Sequence, residues 1–113
     1  MRTIIVDGAA SQRRILSLLL ETECSVHADS VDSPEAASPY AESDRVFLDA
    51  SFSVGSVAPA GVIVTGAAKQ DELLARRIRE GASTFLVKPY MKETFLRALD
   101  EAALMANAAG SNS

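Results

Sequence analysis

Five short runs along the chain are rich in strand-forming residues: Thr3–Val6 (TIIV), Ser25–Ala28 (SVHA), Arg45–Leu48 (RVFL), Gly61–Val64 (GVIV) and Thr84–Val87 (TFLV). Most lack apolar/polar alternation, as expected of strands covered on both faces of a parallel sheet. Between them the period changes. Ser11 to Glu23 carries Ile15, Leu18, Leu19 and Thr22 at helical spacing, with Ser11 as a candidate cap. Lys69 to Glu80 places Leu74 and Ile78 on one face and runs into Gly81, which suits a left-handed C-cap. Lys92 to Ala108 aligns Phe95, Leu99, Ala102 and Ala106, and Gly110 is expected to end that helix.

The two remaining connections are weaker. Ser33-Pro34-Glu35 is a good helix start, but Pro39 should stop it after one or two turns. Between the third and fourth runs, "DASFSVGSVAPAG" has no amphipathic period, so Ser51 to Pro59 is expected to be irregular, with a helix there missing or degenerate. Residues 1–108 form one domain in this reading, and 109–113 a frayed tail or linker. No internal repeat is visible. Strands alternating with helices imply right-handed crossovers, hence an α/β three-layer sandwich around a five-stranded parallel sheet.

Composition narrows the partners. The 113 residues, 48% of them hydrophobic, suffice for one compact domain. A net charge of -4 argues against nucleic acid, whose recognition leaves a basic footprint. The single cysteine, Cys24, excludes an intrachain disulfide framework and fits a reducing cytoplasm. The start of the chain has too short an apolar run for a signal peptide, and no stretch approaches a membrane span. The expected chain is a soluble cytoplasmic protein that binds other proteins, with a second copy of itself a further candidate.

The polar residues that close the runs carry the chemistry. Asp7, Asp49, Thr65 and Lys88 follow the first, third, fourth and fifth runs directly. In open parallel sheets such residues converge beyond the strands' carboxyl ends, where ligands bind. A carboxylate can accept a phosphoryl group if cations offset the incoming charge. Asp49, on the central strand, is the candidate acceptor. Asp7 and Asp49 are candidate ligands for Mg2+, which takes one or two carboxylates with carbonyl, phosphate and water oxygens. Lys88 would pair with a phosphoryl oxygen as a point charge, and the Thr65 hydroxyl would donate to another.

These segments, "IIVDGAASQRRILSLLLE", "RVFLDA", "VIVTGAA" and "REGASTFLVKPY", together resemble the response-regulator receiver family and cover nearly the whole chain. The resemblance implies a flavodoxin-like fold with sheet order 2-1-3-4-5. It matches Asp49 to the phosphoacceptor, Thr65 to the switch hydroxyl, Lys88 to the phosphate-binding lysine and Phe85 to the aromatic switch. It places a metal-ligating carbonyl at Ser51 and implies a cis Lys88-Pro89 bond. A histidine kinase or histidine phosphotransfer protein would be the donor. The output surface would be the family's fourth helix, fifth strand and fifth helix. Two departures stand out. Gly8 replaces the second acid after the first strand, so magnesium binding should be weak, and Thr65 follows Asp49 by only 16 positions, too few for a full third helix.

Competing readings remain. The four polar residues could be a structural ion-pair cluster in a phosphorylation-independent docking module, or the fold could carry a flavin or an enzyme site. The last fares worst, because "DGAASQ" lacks the pattern of a phosphate-cradling loop. His27, alone of its kind, reads as a polar residue near a strand end, and Cys24 as an unreactive thiol at a helix exit. Arg76, Arg77 and Arg79 read as a solvated helix face pairing with Glu72 and Glu80.

Overall fold

A computed structural model of the chain describes residues 2–36, 45–56 and 61–111. The elements run β1 (Thr3–Val6), α1 (Ala10–Cys24), β2 (Asp29–Val31), β3 (Arg45–Asp49), β4 (Gly61–Ala67), α2 (Asp71–Arg79), β5 (Thr84–Lys88) and α3 (Lys92–Ser111). All strand pairs are parallel, in the order β2-β1-β3-β4-β5.

Strand parity divides the core into two layers, because successive side chains leave a strand on opposite faces. Ile5, Phe47, Ile63 and Leu86 point to one face and pack against Leu16 and Leu20 of α1 and Phe95 and Leu99 of α3. The Phe47 and Phe95 rings stack there, with centroids 6.1 Å apart. Ile4, Val6, Val46, Leu48, Val62 and Val64 point to the other face, which α2 covers through Leu74. Strands flanked on both sides in this way have no reason to alternate, which accounts for their continuous apolar runs.

Four local expectations are corrected. The second strand is Asp29–Val31, not Ser25–Ala28, because Ser25 adopts a left-handed conformation and caps α1. The Ser25 N–H donates to Glu21 and the Val26 N–H to Leu20, so the start of the run closes a helix end instead of joining the sheet. The buried face of α1 is Leu16 and Leu20, while Ile15 and Leu18 are 42% and 50% exposed. Ser11 lies inside α1, whose N-cap is Ala9. Finally, α3 continues through Gly110 to Ser111, since one glycine costs only about 1 kcal/mol in an alanine-rich helix.

Other expectations hold. Gly81, at φ 116°, follows α2 as its left-handed exit. The Ser33 hydroxyl accepts the Ala36 N–H at a helical start, and the remainder of that expected short helix lies outside the described residues. Among the described residues after β3 the chain makes a turn and a single 3-10 turn at Val54–Ser56, with no α-helix, and Val57 to Pro59 of the expected irregular segment lie outside them.

Candidate functional site

Parity also assembles the site. Asp7 lies two residues beyond Ile5, Asp49 beyond Phe47, Thr65 beyond Ile63 and Lys88 beyond Leu86, so all four share one face at the carboxyl end of the sheet, with Asp49 and Lys88 closing β3 and β5, Thr65 inside β4 and Asp7 just past β1. Register brings Asp49 opposite Thr65. The Lys88 ammonium donates to Asp49 Oδ1 at 2.9 Å and reaches Asp7 Oδ2 at 3.4 Å. A lysine closing a buried strand is thus satisfied by two anions from strands that are not its neighbours.

Each carboxylate is held on both oxygens. Asp7 is 3% exposed, and its Oδ1 accepts the Ala9 N–H at 2.8 Å at the entrance to α1. Arg13 donates to the Asp7 carbonyl at 2.7 Å, which ties the first turn of that helix to the same point. Asp49 Oδ2 accepts both the N–H and the hydroxyl of Ser51, at 3.1 Å and 2.5 Å. Burial pushes the Asp49 carboxyl up, but the Ser51 and Lys88 hydrogen bonds outweigh it and hold the group below its ordinary value. Burial likewise pulls the Lys88 ammonium down, and the bond to Asp49 with the charges of both aspartates lifts it above its ordinary value.

The hydroxyls behave differently. Thr65 Oγ1 and Tyr90 Oη are both buried without a hydrogen-bond partner. They are near enough for Thr65 to temper the ionisation of Tyr90, yet they do not meet in hydrogen-bond geometry. Burial pushes the Tyr90 phenol up to about 12, so it keeps its proton at neutral pH. Buried hydroxyls without partners are rare and costly. A pair of them beside an acid-lysine cluster is a ready reception for an anion's oxygens.

Of the expected site residues, Asp7, Asp49, Thr65, Lys88 and Ser51 come together. Phe85 does not: it leaves β5 on the opposite face, 41% exposed, beside Leu74 and Ile78 of α2. The Lys88-Pro89 bond is cis. Tyr90 and Arg77 were missed. Tyr90 was readable only from its place two residues after Lys88. Arg77, assigned above to a solvated face, is buried, because its guanidinium turns inward to the Ala50 carbonyl. His27 is exposed, 3.6 Å from Glu21.

Among the described residues no group of three or more His, Cys, Asp and Glu could hold a metal. The oxygen donors that do converge, the Asp7 and Asp49 carboxylates on either side of the Lys88 ammonium, fit the lower end of what Mg2+ accepts. Gly8 adds no donor, although a Cβ there would meet nothing closer than the Asp32 carbonyl at 3.9 Å. No helix is long and apolar enough to cross a membrane among the described residues.

No family model matches the chain, nor does any curated protein. Solved structures do. The N-terminal signal receiver domain of a two-component response regulator from Bacteroides fragilis is 26% identical, with TM-score 0.72 over 89% of this chain and 95% of that one. A two-component response regulator from Clostridium difficile superposes with TM-score 0.76 at 18% identity, covering 95% of this chain and 98% of its own. Chemotaxis response regulator CheY4 of Vibrio cholerae gives 0.70 at 19% identity, over 89% and 97%. The sheet order and the near-complete mutual coverage show that the chain has the fold of response-regulator receiver domains.

Proposed function

We propose that the chain accepts a phosphoryl group on Asp49 from a histidine kinase or a histidine phosphotransfer protein, and that the modification switches a protein-binding surface. The supporting observation is the Lys88 ammonium shared between Asp49 and Asp7, beside a Thr65 hydroxyl buried with no partner. A carboxylate oxygen of Asp49 forms the new P–O bond while the P–N bond of the phosphohistidine breaks, and the imidazole leaves with the electron pair. Lys88 and the Thr65 hydroxyl receive the transferred oxygens, and positioning with charge neutralisation supplies most of the rate. Asp7, Asp49 and the Ser51 carbonyl would hold Mg2+, which would offset the charge of the incoming phosphate.

For transfer to occur, Asp49 must loosen one of its present bonds, to Lys88 or to Ser51. Lys88 is then drawn to the phosphate, and Thr65 gains an acceptor. The surface beyond is the face of α2, β5 and α3, where Ile78, Phe85 and Met91 are exposed. A large exposed apolar set of this kind suits a downstream protein. Phosphorylation then acts as a population shift between two packings of that face.

The test is incubation with acetyl phosphate and magnesium, read by intact mass and by amide chemical shifts. A gain of one phosphoryl group, lost in Asp49→Asn, is expected. No gain at millimolar acetyl phosphate with magnesium rejects the reading and leaves a phosphorylation-independent docking module.

A further inference from the structure

The connection from β3 to β4 has only one turn of helix among its described residues, and it carries Ser51, whose N–H and hydroxyl hold Asp49. Something must fix that connection. The Arg77 side chain of α2 is buried beneath it, with Nε donating to the Ala50 carbonyl at 2.9 Å. Its Nη1 donates to Glu80 Oε2 at 2.6 Å. Glu80 in turn accepts the Val54 N–H on Oε1 at 2.9 Å. One arginine-glutamate pair therefore grips the connection on both sides of Ser51, at a carbonyl one residue before it and an N–H three residues after. Arg77 lies in the last turn of α2 and Glu80 is its C-cap, and the helix end is fixed by the Arg77 carbonyl accepting the Ala82 N–H.

We infer that Arg77 and Glu80 form a positioning brace for the connection after β3, holding Ser51 against Asp49 and linking the phosphoacceptor to α2. The chemistry favours a brace over a chance contact. A guanidinium presents several donors in a rigid plane, so it can serve a carbonyl and a carboxylate at once. A buried charged group is retained only when such bonds satisfy it. Of three arginines in "ARRIR", only Arg77 is buried, and Arg79, exposed on the same turn, serves as an internal control. The brace also has a mechanical consequence. Any change at Asp49 that displaces Ser51 pulls on Ala50 and Val54, and through them on α2. Thr65 is therefore not the only route from the site to the surface.

The brace itself stands on geometry, and its role in phosphoryl transfer rests on the proposed function above. The experiment compares wild type with Arg77→Met, Arg77→Lys, Glu80→Ala and the control Arg79→Met. Two readouts are taken: amide hydrogen exchange at Ser51, Phe52 and Val54 against Ile4–Val6 of β1, and acetyl-phosphate labelling as a function of donor concentration. In Arg77→Met, exchange at 51–54 should rise about five-fold with β1 unchanged, as expected for loss of a local hydrogen-bond set. The maximal labelling rate should fall about ten-fold with the half-saturating concentration unchanged, as for lost positioning. Arg77→Lys should recover part of both, and Arg79→Met should alter neither. Unchanged exchange in folded Arg77→Met overturns the brace, and faster exchange with an unchanged labelling rate overturns its role in positioning. If Arg77→Met does not fold, Glu80→Ala takes its place, and unchanged exchange at Val54 there overturns the proposal. A wild type that never labels rejects the phosphoacceptor reading, and the exchange data alone then decide the brace.

Discussion

Lys88 and Asp49 meet at 2.9 Å across the end of β4, so the edge strand is tied to the central strand by a charge pair that skips the strand between them. The same ammonium reaches Asp7, and the two carboxylates therefore depend on one cation. Lys88→Met keeps the apolar stem and removes the charge, which leaves two acids facing each other in a largely buried pocket. We expect a loss of about 1–3 kcal/mol in stability, recovered in part by Lys88→Met with Asp49→Asn. Urea unfolding of the two variants measures it, and a single variant as stable as wild type would show that the pair contributes nothing.

Thr65 and Tyr90 invite the opposite result. Both hydroxyl oxygens are buried without partners, so each detracts from the resting state. Tyr90→Phe should leave the melting temperature unchanged or raise it by up to about 4 °C, and Thr65→Val should do the same. Labelling separates them from ordinary core substitutions, because Thr65→Val should slow phosphorylation of Asp49 about ten-fold or more, as does removal of an anion-stabilising donor. Calorimetry beside labelling tests both, and a fall of several degrees in either variant would mean that the hydroxyl already has a partner in solution.

The pH dependence follows from the shifted carboxyl. Asp49 lies below its ordinary 3.8 in the folded state, so the unfolded chain takes up its proton first as pH falls. Its stabilising contribution is fully present above 3.8 and declines as pH falls below that value towards the folded one. Asp49→Asn mimics the protonated form, so the wild type should lose stability relative to that variant on passing from pH 5 to pH 3, by chemical unfolding at each pH. A constant difference across that range would show that the Ser51 and Lys88 bonds do not favour the ionised group.

How far the sequence reveals this arrangement differs between elements. The carboxyl-edge residues were legible because each apolar run meets a polar residue at the carboxyl end of its strand, and parity then puts Asp7, Asp49, Thr65 and Lys88 on one face. The second strand was not, since Val26 and Ala28 look more strand-like than Asp29-Ser30-Val31. The deciding interactions are the left-handed Ser25 cap and pairing with β1, neither of which composition encodes. The face of α1 was ambiguous because Ile15, Leu16, Leu18, Leu19 and Leu20 surround the helix, and only the sheet selects Leu16 and Leu20. Arg77 was hidden among chemically identical neighbours, since what distinguishes it is the Ala50 carbonyl, 27 residues earlier in the chain.

Gly8 separates the phosphoacceptor from the docking module most sharply. The position has room for a side chain, because a Cβ there would meet nothing closer than the Asp32 carbonyl at 3.9 Å, and the Gly8 backbone does not adopt a left-handed conformation. Gly8→Asp should therefore be accommodated sterically, and its effect should be electrostatic. Without metal it adds a third carboxylate to a pocket that holds two acids and one lysine, and we expect a fall of about 2–5 °C in melting temperature. Magnesium should reverse this, because an ion that binds only the folded state stabilises it by mass action, by about 1.4 kcal/mol at ten times the dissociation constant. The wild type, with one carboxylate fewer, should respond less at the same millimolar concentration, and the variant should label faster with acetyl phosphate. Melts of both proteins with and without magnesium, beside labelling, read all of this out. Absence of any magnesium response in the variant, with no labelling of either protein, would leave Asp49 as a structural acid whose partner is Lys88 alone.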